Sequence, residues 1–315
     1  ALVWCDHTDP ALIEPFETEH NVKVNLREYE GTGAALALLE QSRPGDWDVL
    51  VIDGIDVFRA VEAGILAPLA VDELPTADFF PEVVMAENNS VDGVTYAVTE
   101  KFGYNTVSYN SSKVDQSDME DLSTIWSDKY NGRISIYDYY LPVMGLAAIA
   151  EGIPTAKIGS GDLDQIGDVL SIMRSNAASV AGVVAAQTAL ATGEVDIVVG
   201  GGEWLTAVLA GERPELTWTI PKEGAVRWAQ SIGVVEGSKN SDLAMKFINY
   251  IVGIHQVIST CSWRRPPASP CRRRPPRRPS WMLPSPPCSS CAGRRARSWF
   301  RRSRSCGRLR PRRRG

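Results

Sequence analysis

The sequence predicts an α/β protein of two lobes, each a mixed, mostly parallel sheet flanked by helices and joined to the other by a hinge. Three observations carry that expectation. At 315 residues the chain exceeds the ordinary size of one domain. Its opening alternates strand-like and helix-like stretches in the order β-α-β-α-β-α, which lays parallel strands between helices. Its 44% hydrophobic content is ample for a sizeable core, while no stretch approaches the ~18–20 uninterrupted apolar residues of a membrane span.

The elements follow in order. Ala1-Leu2-Val3-Trp4 already reads as a strand, so no export signal is legible in the chain. Asp9 is a good N-cap and Pro10 suits the first helical position, and Leu12, Ile13 and Phe16 form one apolar face before Asn21 ends the helix. Val22, Val24 and Leu26 alternate as a strand, and a helix from about Thr32 to Gln41 turns Leu36 and Leu39 inward. Pro44-Gly45 turns the chain into the apolar run Asp48–Ile52, typical of a buried parallel strand, and a helix over about Val57–Ala63 closes at Gly64. A second unit begins with a strand at Arg133–Tyr137 and helices at Leu141–Glu151, Leu163–Asn176 and Ala185–Thr192. Strands at Val195–Val199 and Trp228–Val235 follow, and Ser241 caps an amphipathic helix carrying Leu243, Phe247, Ile248 and Ile251 on one face. The chain is expected to cross between lobes near Tyr104–Val107 and Ile232–Val235, giving lobe 1 residues 1–105 and 232–260 and lobe 2 residues 106–231.

Charge divides the chain differently. The net charge of −5 combines a body (residues 1–260) with 15 basic and 38 acidic residues and a tail (261–315) with 18 arginines and no Asp, Glu or Lys. The acidic body disfavours nucleic acid and suits cationic solutes. Cys5 is alone in the body, which excludes an internal disulfide and a cysteine metal cluster there; the other five cysteines lie in the tail. The tail is Arg, Pro, Ser and Cys without helical or strand periodicity, the composition of GC-rich DNA read out of frame; a frameshift near Gly253–Cys261 is the expected origin, with a nucleic-acid-binding or membrane-binding tail as the alternative.

Several motifs recur in the order of one family. They are the opening Leu2–Phe16, Gly45-Asp46-Trp47-Asp48-Val49 and Glu62-Ala63-Gly64-Ile65-Leu66. Further on come Trp126 with Tyr130-Asn131-Gly132-Arg133, then Thr192-Gly193-Glu194-Val195-Asp196-Ile197, and Pro221-Lys222-Glu223-Gly224. Together they cover about the first 250 residues and resemble the periplasmic spermidine/putrescine-binding protein family of ABC polyamine importers. The resemblance implies a two-lobe periplasmic binding protein (type II) fold, a small-molecule ligand in the cleft between lobes, closure on binding, an ABC transporter membrane permease as partner, a periplasmic location, a monomer, and no cofactor or metal. It implies a binding protein and not an enzyme.

A polyamine needs carboxylates for its ammonium groups and aromatic faces along its stem. Trp4, Asp6 and His7 follow the first strand, at the end where open α/β sheets bind ligands, and the resemblance places an aromatic contact there; core packing and a turn are the plainer roles. Asp53 follows the strand Asp48–Ile52, where the family has a polar contact and where a helix cap is the alternative. Glu100, Phe102 and Tyr104 approach the first crossover, where an aromatic wall is expected and structural packing is the plainer role. Tyr137-Asp138-Tyr139-Tyr140 sets one carboxylate among three phenols at a strand end, and Asp138 matches an acidic ligand residue of the family. Gly200-Gly201-Gly202 lacks nucleotide-binding spacing and is read as letting the backbone approach a ligand and aim Glu203 and Trp204 at it. Trp228 matches a ligand-lining tryptophan, but Gln230 stands where the family has an aspartate that holds an amine, so ligand charge or length differs, with Glu203 or Asp138 compensating.

The alternative within the same fold is ferric iron held by Tyr137, Tyr139 and Tyr140, or another small polar solute. A hydrolase lacks support, since there is no G-x-S-x-G elbow and no H-E-x-x-H spacing. A nucleic-acid binder rests wholly on the tail. Translating the other two frames of the coding DNA beyond Gly253–Cys261 is expected to continue an α/β sequence; absence of one from both frames would sink the frameshift.

Overall fold

The computed structural model describes residues 1–4, 7–74, 79, 87–209 and 211–258, with side chains to Gly253. Cys5, Asp6 and the Arg/Pro-rich tail lie outside the described residues. The first elements are β1 (Leu2–Val3), α1 (Pro10–His20), β2 (Arg27–Glu28), α2 (Thr32–Glu40), β3 (Val49–Asp53) and α3 (Val57–Glu62). A small hairpin, β4 (Ser90–Val91) and β5 (Val94–Thr95), leads into the long β6 (Val98–Asn110). Then come α4 (Leu122–Ile125), β7 (Ile134–Tyr137), α5 (Tyr140–Ala150), α6 (Leu163–Asn176), β8 (Ala177–Ala181) and α7 (Val183–Thr192). The last are β9 (Ile197–Gly201), α8 (Glu203–Ala207), β10 (Leu216–Thr219), β11 (Val226–Val234) and α9 (Ser241–Ile258).

Two compact units result, one holding Ala1–Phe102 and the described residues from Ala229 on, the other Gly103–Trp228. The crossings fall a few residues before the positions expected from the sequence. Both occur inside continuous strands, β6 and β11, so no break in the residue pattern marks them.

In the first unit the strand order is β2-β1-β3-β11. β1 runs parallel to both β2 and β3, and β11 returns antiparallel to β3, from Gln230 opposite Asp53 to Val234 opposite Val49. Every residue of β3 is buried, as a strand covered on both faces requires. The expected strand at Val22–Leu26 is instead irregular, and pairing is confined to Arg27–Glu28. β1 offers only two residues to pair with, and the Val24 amide is taken by the Glu17 carboxylate at 2.8 Å. α1 and α9 pack on each other through Phe16 against Phe247 (5.0 Å between ring centres, edge-on) and Tyr250 (5.3 Å), and Tyr250 Oη donates to the Leu12 carbonyl at 2.7 Å. The buried set Ala244, Phe247, Ile248, Ile251 and Val252 is one helical face of α9.

In the second unit β8-β7-β9-β6 form the sheet, with β10 added on β6. β7 is parallel to β8 and β9, while β6 is antiparallel to β9 and β10. The core joins Ile134, Ile136, Ile197 and Val199 of the sheet to Leu146 of α5, Ile166 and Met173 of α6, and Met119, Leu122 and Ile125 of the segment before β7. Among the described residues no helix is long and apolar enough to cross a membrane.

The start of α1 follows its sequence signals closely. Asp9 accepts a hydrogen bond from the Ala11 amide at 2.8 Å, Pro10 opens the helix, and Asn21 closes it at φ 50°. Asp9→Ala is expected to lower stability by about 1 kcal/mol, read as an earlier midpoint in urea; an unchanged midpoint would mean that solvent replaces the cap without loss.

Candidate functional site

In the second unit, parallel pairing of β7 with β9 places their carboxyl ends side by side, and the antiparallel β6 brings residues 103–105 to the same end, with Thr106 opposite Gly201. This is the edge at which α/β sheets hold ligands, because the strand ends and following helix starts leave a crevice. Tyr137 ends β7, and Tyr139 occupies the N-cap position of α5, so Asp138, exposed between them, does not cap the helix. Trp204, on α8, lies 6.0 Å from the Tyr137 ring; Tyr139 lies 5.8 Å from Tyr137 and 5.1 Å edge-on from Tyr140. Trp204 Nε1 donates to Asn105 Oδ1 at 3.3 Å, which ties this aromatic row to β6.

Glu203 stands beside the row. Its Oε1 accepts the Tyr104 amide at 3.0 Å, while its Oε2 is buried with no hydrogen-bond partner among the described residues. Trp228 is half-buried at the start of β11, and its Nε1 is likewise buried without a partner. Both side chains press on Gly103: a β-carbon there would collide with the Glu203 carboxylate and with the indole of Trp228. The glycines before Glu203 do something other than admit a ligand. A β-carbon on Gly202 would strike the Tyr104 carbonyl, and one on Gly201 the Ser108 hydroxyl. Ser108 Oγ in turn accepts the Gly202 amide at 2.9 Å and lies 3.1 Å from the Gly202 carbonyl. These glycines let the end of β9 close on β6, and that closure aims Glu203.

In the first unit the candidates form a separate set. Trp4 is buried after β1 and packs on Tyr29 at 5.0 Å. His7, 1% exposed, hydrogen-bonds through Nε2 to Glu100 at 2.8 Å, and the Lys101 amine lies 3.7 Å from the same carboxylate oxygen. Asp53 ends β3 and is buried; its Oδ2 accepts Thr32 Oγ1 at 3.3 Å, and it makes no side-chain cap to the 3-10 turn Gly54–Asp56 that follows. Gln230 is directly opposite Asp53 in the ladder, buried, with its Oε1 unpartnered among the described residues. An aspartate there would set two carboxylates face to face in a buried cross-strand pair, which is destabilising; the amide avoids that. Phe102 is half-buried at the last position of this unit. Asp6 lies outside the described residues. Two surface hollows of this unit, of about 270 and 310 Å³, border Trp47 and include none of these side chains.

Sequence reasoning missed Gly103 and Asn105. Their signal was present in Lys101-Phe102-Gly103-Tyr104-Asn105, where a glycine among aromatics inside a strand marks a close approach. No group of three His, Cys, Asp or Glu side chains that could hold a metal ion occurs among the described residues.

Burial pushes the Glu203 carboxyl up to about 6, against the backbone hydrogen bond from Tyr104, which favours the charged form. A carboxyl raised on folding stabilises the fold fully below its unfolded value of 4.5 and loses that contribution as pH rises through about 6. Ionisation at neutral pH therefore costs the fold on the order of 1–2 kcal/mol. Glu203→Gln is expected to melt higher than the parent at pH 7.5 and to lose that advantage at pH 4.5; an advantage independent of pH would mean that the carboxyl is not perturbed.

The family model described as bacterial extracellular solute-binding protein matches residues 11–270. The spermidine/putrescine-binding periplasmic protein of Salmonella typhimurium is 24% identical over 252 residues, spanning 79% of this chain and 71% of the relative. A putative spermidine/putrescine ABC transporter structure from Listeria monocytogenes superposes with a TM-score of 0.72 at 23% identity, covering 82% of this chain and 79% of that one. The structure of MotA from A. tumefaciens B6 in complex with glucopine gives 0.65 at 19% identity, covering 79% and 75%. The fold is that of the type II periplasmic binding proteins, and the chain belongs to the bacterial extracellular solute-binding protein family.

Proposed function

We propose that this solute-binding protein captures a small organic cation of the polyamine type outside the cytoplasm, as a monomer, and delivers it to the membrane permease of an ABC importer. The observation that carries the reading is Glu203. A carboxylate whose second oxygen is buried and unpartnered beside Trp228, with the Trp204, Tyr137 and Tyr139 rings close by, is a seat for an ammonium on an apolar stem. An ammonium would give Oε2 the donor it lacks, worth about 1.5–3 kcal/mol as a charge-assisted hydrogen bond. Each aromatic face over the cation adds about 0.5–2 kcal/mol. A few such contacts reach about −8 kcal/mol, the micromolar range.

Names of relatives support the ligand class, since the Salmonella typhimurium protein is a spermidine/putrescine-binding protein and a Pseudomonas aeruginosa relative, 22% identical, a putrescine/agmatine-binding protein. Tyr104, Asp138 and Tyr140 complete the proposed contact set in the second unit. Trp4, His7, Asp53, Phe102 and Gln230 are the proposed contacts of the first. Gln230 contributes no charge, which leaves Glu203 as the buried carboxylate of the second unit's aromatic row and Asp138 as an exposed one.

Calorimetric titration of putrescine and spermidine into the full chain, with ferric citrate as comparison, tests the reading. One-to-one binding at micromolar affinity or tighter is expected, weakened at least about tenfold by Glu203→Gln, the equivalent of ~1.4 kcal/mol. Absence of heat with either amine, or affinity unchanged by Glu203→Gln, would remove the assignment.

A further inference from the structure

Strand β9 switches faces at its penultimate residue. Ile197, Val198 and Val199 pair in step with Tyr109, Ser108 and Val107 of β6, and in that register Gly200 would fall opposite Thr106. Gly201 stands there instead, so Gly200 is an extra residue, a β-bulge with φ at 87°. The two faces record the shift. Ile197 and Val199 join the core that includes Ile134, Ile136 and Leu146, while Val198 lies in the other cluster with Ala186, Leu190 and Leu205. Plain alternation would send Gly201 to the face of Ile197 and Val199. It lies on the face of Val198, where a β-carbon on it would meet Ser108 Oγ and Leu205 Cδ1. One on Gly200 would instead meet Tyr137 and Pro142, at 3.2 and 3.3 Å.

We infer that the bulge at Gly200 is the positioning element of this site: it turns the chain out of the ladder so that Glu203 meets β6 and Trp204 meets the Tyr137 ring. Gly200 holds a left-handed backbone, which few residues other than glycine adopt, with a tight fit for any β-carbon. Past it the ladder ends. The Gly202 amide donates to Ser108 Oγ at 2.9 Å, and the Gly202 carbonyl accepts the same hydroxyl at 3.1 Å. Helix α8 starts from that tie, with Leu205 buried in the Val198 cluster, Glu203 Oε1 on the Tyr104 amide and Trp204 6.0 Å from Tyr137. Without the extra residue the chain would leave β9 on the opposite face of the sheet, and neither contact could form. Gly200 is therefore a positioning residue for Glu203 and Trp204, and Ser108 fixes the turn that it starts. The effect on ligand affinity rests on the amine-binding reading above; the effect on geometry does not.

The test adds one β-carbon at this left-handed position, as Gly200→Ala in the full chain. Gly193→Ala is the control, since Gly193 has φ 79° at the end of α7, ahead of β9. Putrescine is titrated into the parent and both variants. Gly200→Ala is expected to bind about tenfold more weakly or worse, and Gly193→Ala to melt earlier while keeping the parent affinity. Two signals need no ligand. In Gly200→Ala the Trp204 indole N–H resonance, assigned by its loss in Trp204→Phe, is expected to shift, and the Glu203 carboxyl to titrate nearer 4.5 than about 6; in Gly193→Ala both stay. Ser108→Ala keeps Gly200 and removes the hydroxyl that ties Gly202. It is expected to move both signals in the same direction by less, and it decides the matter if Gly200→Ala fails to fold. Signals unmoved in Ser108→Ala and in any folded Gly200→Ala overturn the inference, as does an affinity loss that Gly193→Ala matches. If putrescine fails to bind the parent, the amine reading falls alone, and the two signals still decide the role of Gly200.

Discussion

The closure of the end of β9 onto β6 is the constraint on which the second unit's site depends. β7 and β9 are parallel, so their carboxyl ends would lie together in any case. What converts that edge into a shaped site is the antiparallel approach of β6, so close that Gly103, Gly201 and Gly202 have no room for a side chain. Ser108 bonds to both backbone groups of Gly202, the Tyr104 amide reaches Glu203, and Asn105 holds Trp204. Each of these contacts joins residues nearly a hundred positions apart and orients a side chain that the proposed ligand would meet. A site held on strands and a helix start in this way keeps its geometry better than one built on free loops.

That geometry is costly where it is useful. The buried Glu203 oxygen and the buried Trp228 N–H lack partners in the protein, and each such group costs the fold roughly 1–3 kcal/mol. Stability is drawn from elsewhere in the unit: the continuous core across β7, β9, α5 and α6, and the brace in which Lys222 pairs with Asp121, the N-cap of α4, while Glu223 accepts the Leu122 amide. Proteins that bind commonly leave such deficits at their sites, since a group already satisfied within the chain has little to offer a ligand. The first unit carries such a deficit at Gln230 Oε1, while others of its buried polar side chains are paired. His7 has Glu100 and Asp53 has Thr32, and Gln230 opposite Asp53 trades a charge for an amide that the buried ladder can accommodate.

Much of the architecture was legible locally. Helix α6 follows its apolar period from Leu163 to Asn176, because an amphipathic face needs no distant partner to be recognised. Asp9, Pro10 and Asn21 mark α1 by the same local logic of capping and left-handed backbone. The apolar run before Asp53 was readable as a buried strand, and so was the position of Asp53 at its end. β6 was not. Thr99, Glu100, Thr106 and Ser108 are polar residues inside a buried strand, where alternation fails, and what makes them tolerable is partners remote in sequence: His7 for Glu100, the Thr219 carbonyl for Thr106, Gly202 for Ser108.

The sequence by itself determined the α/β class, most helix positions, the acidic body that favours a cationic partner, and the residue types at the strand ends, because these follow from periodicity, capping and charge that each stretch carries within itself. Only the tertiary structure decided which of those residues meet. It brought Glu203 and Trp228 against Gly103 and Trp204 beside Tyr137, set Asp138 at the surface, and turned Gly201 and Gly202 from a presumed ligand approach into the contact between β9 and β6. The physical reason is that a site is a set of distances between strands, and those distances are fixed by the backbone register and by the space a missing side chain leaves, neither of which any one stretch of sequence records.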